Sequence, residues 1–71
     1  MDRTTAIECI SKGDLVLHNN IPYIPKAYIL RLTNNIWCHE LELKSLKANS
    51  IIIADMEVVL SGKEVSDNAK L

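Results

Sequence analysis

Apolar residues in this chain fall into short blocks, and pairs of asparagine separate several of them. From Asp14 the blocks run "DLVLH", Asn19-Asn20, "IPYIPKAYILRL", Asn34-Asn35, then "IWCHELEL". Asparagine enters the left-handed backbone region more readily than most residues with a Cβ, so each Asn-Asn pair predicts a tight turn between two strands. Isoleucine, leucine and valine fill the blocks, and branched aliphatic residues suit a pleated, half-buried surface. "SIIIA" predicts a further strand, apolar on both sides where it crosses a core. "DMEVVL" predicts another after a bend near Asp55. Between them "KSLKANS" is polar enough for a turn, with one helical turn around Leu46.

The second Asn-Asn turn makes a register that can be checked. With Asn34 and Asn35 as its central residues, Leu32 lies opposite Trp37, Leu30 opposite His39 and Tyr28 opposite Leu41. Directly opposed residues point the same way, so all of these share one face. The other face receives Ala27, Ile29, Arg31, Cys38, Glu40 and Glu42, with Arg31 diagonal to Glu40. Slipping the pairing by one residue would mix the two sets. Pro22 and Pro25 cannot donate to a central ladder, which places the start of this strand on an edge, at a bulge or at a bend. By parity Leu15, Leu17 and Ile24 are expected inward. Val16, His18 and Tyr23 are then outward, a candidate partner-binding patch.

"TTAIECISKGD" favours a short helix at residues 5–12 over the alternative of a strand. Thr5 and Glu8 have capping-box spacing, and Gly13 suits the left-handed position past a helix end. Ala6, Ile7 and Ile10 would form the buried side. "SGKEVSDNAKL" shows no apolar periodicity and reads as a flexible polar tail over 61–71. A single small domain remains at 1–60, with the β structure at 13–60.

Five short strands with a helical turn before the last resemble an SH3-like small barrel. "KGDLV" (Lys12 to Val16) is similar to the opening of the first strand in many bacterial SH3-like and KOW-type modules. "ADMEVVL" (Ala54 to Leu60) resembles the turn that leads into their closing strand. The resemblance implies a mainly β fold, a five-stranded SH3-like barrel with a short N-terminal helix. That architecture hosts peptide binders, nucleic-acid binders and assembly modules alike. The chain lacks the acidic loop and paired aromatic residues of a polyproline-binding groove, so no functional residue transfers.

Composition narrows the functions. At 71 residues the chain is one domain near the lower limit for an independent core, a size at which a partner subunit often completes it. A hydrophobic content of 48% argues against disorder. Eight basic against nine acidic residues leave a net charge of −1, without the positive excess of a protein held to phosphates. A folded patch can still be basic, and a nucleic-acid-binding accessory role would use Lys26, Arg31, Lys44 and Lys47. "MDRTTAIECI" lacks the apolar run of an export signal, and no stretch approaches the roughly 20 apolar residues of a membrane span. Together with only two cysteines, this leads us to expect a cytoplasmic protein without disulfides. The richness in isoleucine, asparagine and lysine suits an AT-rich bacterial or phage genome.

The adjacent Cys38 and His39 invite a catalytic reading. A thiolate nucleophile needs an imidazole within hydrogen-bond reach, whereas neighbours on a strand point to opposite faces. No catalytic residue is assigned, and no enzyme is expected. Cys9, His18, Cys38 and His39 lack the close ligand pairs of structural zinc sites, so neither metal nor cofactor is expected. Glu40 and Glu42 share a face about 6.5–7 Å apart along the strand, but beside Arg31 and Lys26 or Lys44 they read as a solvated charge ladder. What remains is a non-catalytic module that binds another protein or itself. Its candidate surfaces are the Val16, His18 and Tyr23 patch and the aliphatic "SIIIA" strand, which would form a homodimer if left at a sheet edge.

Overall fold

The computed structural model describes residues 1–62. In chain order it contains α1 (Arg3–Lys12), β1 (Val16–His18), β2 (Ile21–Thr33), β3 (Ile36–Ser45), β4 (Ile51–Asp55), a 3₁₀ turn (Met56–Val58) and β5 (Val59–Ser61). The five strands form one antiparallel sheet in the order β4-β3-β2-β1-β5. The sheet is open, because β4 and β5 lie at its two ends and do not pair with each other. Among the described residues the expected mainly β fold is present as an open sheet plus one N-terminal helix. Ser61 closes β5 and is buried, so the chain is still structured where the polar tail was expected to begin. Residues 63–71 of that tail lie outside the described residues.

Both asparagine pairs make the turns expected of them. Asn19, Asn20, Asn34 and Asn35 all have positive φ, between 51° and 65°, as two-residue hairpin turns require. The longer hairpin has the register read from the sequence: Leu32 with Trp37, Leu30 with His39 and Tyr28 with Leu41. On its other face Arg31 Nε reaches Glu40 Oε1 at 3.0 Å, the diagonal ion pair.

The first half of β2 departs from simple alternation. Pro25 pairs with Leu43 and Ala27 with Glu42, leaving Lys26 as an extra, bulged residue. A bulge suits this place because Pro25 has no N–H for a regular ladder. It also inverts parity. Tyr23 and Pro25 now share a face with Tyr28, Leu30 and Leu32, and through the first turn Val16 and His18 join them. The expected orientation of β1 is thereby corrected: Val16 is fully buried, Tyr23 packs against the core and His18 is half-buried. Leu15 is exposed instead of inward.

Helix α1 covers part of this inner face. Asp2, not Thr5, is its N-cap, and the Asp2 carboxylate accepts the Thr5 N–H at 2.7 Å. Glu8 pairs with Lys12 one turn on, at 3.6 Å, and takes no part in a capping box. Gly13, at φ 73°, ends the helix with its N–H donated to the Cys9 carbonyl. The buried stripe is Ala6 and Cys9 with Ile10 beside them, whereas Ile7 is exposed. That set follows the i, i+3, i+4 spacing of one helix face, which Ile7 does not share with Ala6. The small side chains of Ala6 and Cys9 let the helix lie close to Leu41, Leu43, Val16, Ala54, Met56 and Val59, which complete the core. The Met1 ammonium donates to the Met56 carbonyl at 3.2 Å, tying the start of the chain to the 3₁₀ turn.

Candidate functional site

The β2–β3 hairpin outruns its cover. Ten helical residues at about 1.5 Å each give α1 a length of about 15 Å. Thirteen strand residues at about 3.3 Å give β2 more than 40 Å. Near the limit of the helix, the Arg3 guanidinium lies 5.5 Å from the centre of the Tyr28 ring. Beyond Tyr28, towards the Asn34-Asn35 turn, the inner face carries Leu30, Leu32, Trp37 and His39, all exposed. Trp37 is 59% exposed, and Ile36, on the opposite face at the turn, is 66% exposed. These are residues that alternate like a core and yet stand in solvent.

A free edge accompanies them. Strand β4 pairs with β3 only from Lys44 to Glu40, so no described strand flanks Ile36 to His39 on that side. An open groove of about 450 Å³ follows this edge, between Ile36–His39 and a wall of Met1, Arg3 and Asp55–Glu57. At its inner end Tyr28 Oη and His39 Nδ1 are hydrogen-bonded, with their rings 5.8 Å apart. The arrangement offers apolar contact area, a strand edge that no described strand pairs and a few polar groups at the rim. It suits the addition of an extended or apolar segment.

The residues singled out from the sequence are dispersed. Cys38 and His39 face opposite sides of β3: the Cys38 thiol lies 3.7 Å from the Ile36 carbonyl, while His39 turns to Tyr28. Cys9 is buried on the inner side of α1, and His18 sits on β1 beside Tyr23, ring centres 6.3 Å apart. His18 Nδ1 is buried with no hydrogen-bond partner. Among the described residues no three of His, Cys, Asp or Glu gather as metal ligands would. Val16, His18 and Tyr23 share a face, but it is the buried one. The basic residues do not converge either. Arg31 is held by Glu40, Lys26 stands on the bulge, and Lys44 and Lys47 lie where β3 leads into β4. Among the described residues no helix is long and apolar enough to cross a membrane.

Sequence periodicity already grouped Leu30, Leu32 and Trp37. What it lacked was any sign that the helix stops short of them, because cover depends on where α1 docks. Comparison with protein-family models, with curated proteins and with solved structures finds no match.

Proposed function

We propose that this chain is a small non-catalytic interaction module of SH3-like architecture that binds another protein through the tip of the β2–β3 hairpin. The observation that carries the reading is the exposed apolar set Leu30, Leu32, Trp37 and Ile36 beside the unpaired edge of β3. Soluble chains seldom leave contiguous large side chains in water without a partner for them, and buried tryptophan is a frequent anchor of protein interfaces. The SH3-like architecture is supported by β5 lying next to β1 and by the 3₁₀ turn between β4 and β5.

Trp37 is the chain's only tryptophan, so it reports on its own surroundings. Its emission in the free chain is expected to be that of a solvated indole, shifting to the blue as a partner covers it. Trp37→Ala should weaken binding by about 2 kcal/mol or more, roughly thirtyfold, while leaving the fold unchanged by circular dichroism. A partner recovered equally well by the wild-type and Trp37→Ala chains would overturn the reading. So would binding of DNA or RNA that weakens steeply with salt, the behaviour of phosphate-driven association through Lys26, Arg31, Lys44 and Lys47.

A further inference from the structure

We propose that the chain forms a two-fold dimer in which β4 pairs antiparallel with β4 of a second copy, centred on Ile53. This surface runs along β4 and meets the groove beside the hairpin tip only at Asp55–Glu57; it rests on three observations about the edge.

The first is the phase of the ladder. The Ser45 N–H donates to the Ser50 carbonyl at 3.0 Å, and the β3–β4 register runs on from that pair without a shift. Antiparallel strands alternate bonded and non-bonded pairs, so Ile52 and Ala54 bond to β3. The backbone groups of Ile51, Ile53 and Asp55 therefore point off the sheet.

The second is that β4 is weakly protected as an edge, its one charged residue being Asp55 at its end. Its sequence contains no proline or lysine, its register has no bulge, and Ile51 and Ile53 are 56% and 46% exposed. The opposite edge, β5, is only three residues long, and shortness is itself a protection.

The third is charge. Lys44 pairs with Ile51 at the start of β4, and Lys47 lies in the connection just before it. Asp55 and Glu57 stand at the other end. An antiparallel partner brings its acidic end to this basic end, twice by symmetry, whereas a parallel one would set like against like. Pairing centred on Ile53 places that residue against its own copy, with Ile51 against Asp55 of the second copy.

Sedimentation velocity of the chain at micromolar concentration should give twice the 8.0 kDa of one copy. Ile53→Lys places a charge on an exposed edge position and should return the mass of one copy with an unchanged circular dichroism spectrum. Lys47→Glu should raise the dissociation constant several-fold, and adding Glu57→Lys should restore it. Four results would overturn the proposal: a single-copy mass for the wild type, a dimer that survives Ile53→Lys, mass that keeps growing with concentration, or charge reversal that is not rescued. Ile53 lies outside the Trp37 set, so a partner bound by the tip should still bind Ile53→Lys.

Discussion

Leu41 and Leu32 show how little residue type alone says about energetic weight. Both are leucines on the same face of one hairpin, and both alternate with polar neighbours. Leu41 is fully buried beneath α1, whereas Leu32 is exposed at the tip. Leu41→Ala should cost about 2–5 kcal/mol by loss of transfer energy and creation of a cavity, enough to threaten so small a fold. Leu32→Ala should stay within about 0.5 kcal/mol. Urea titration of the two variants measures the difference. At the other end of the molecule, the Thr5 N–H donated to Asp2 holds that carboxyl below the usual carboxylate range. The folded chain therefore gives up this proton more readily than the unfolded chain. The cap's contribution is complete above the unfolded pKa, about 3.9, and disappears as pH falls through the lower folded value. Asp2→Ala is expected to melt below the wild type at neutral pH, with the gap closing in acid.

The bulge at Lys26 decides which side of β2 meets the core. Without it, Tyr23 and Pro25 would face away from Tyr28 and Leu41, and β1 would turn Leu17 inward in place of Val16 and His18. Deleting Lys26 imposes that regular alternation. The deleted chain should melt at a lower temperature, followed by circular dichroism, because Val16 and Tyr23 leave the core they form with Leu41 and Leu43, and Leu17 and Ile24 must repack in their place. Pro25 announced an irregularity in the sequence, but not its sense. Whether a proline sits at an edge, a bend or a bulge depends on what lies across from it, here Leu43. The asparagine pairs are the opposite case. A positive φ is a preference of the residue itself, so both turns and the pairing across the longer hairpin were legible before any packing was known.

At the scale of the whole fold the salient fact is an open sheet that the described residues leave partly uncovered. Among the described residues one short helix shields part of one face, and the strands beyond it leave apolar side chains and edges in solvent. Chains of this size bury a smaller fraction of their surface than larger domains, so association is a natural source of extra stability. If the dimer forms, only the folded state binds a second copy, and the melting temperature must rise with chain concentration. Differential scanning calorimetry across a concentration series should show that rise in the wild type and none in Ile53→Lys.

Taken alone, the sequence determined the strands, the asparagine turns, the end of α1 at Gly13, and the divergence of Cys38 from His39. Each of these follows from backbone preference or alternation over a few residues, so the information is local. The tertiary structure alone decided that Val16 lies inside, that Ile7 lies outside, and that Leu30, Leu32 and Trp37 are uncovered. Those outcomes depend on where a 15 Å helix docks on a hairpin more than twice its length, and on a one-residue bulge whose sense is set by a distant strand.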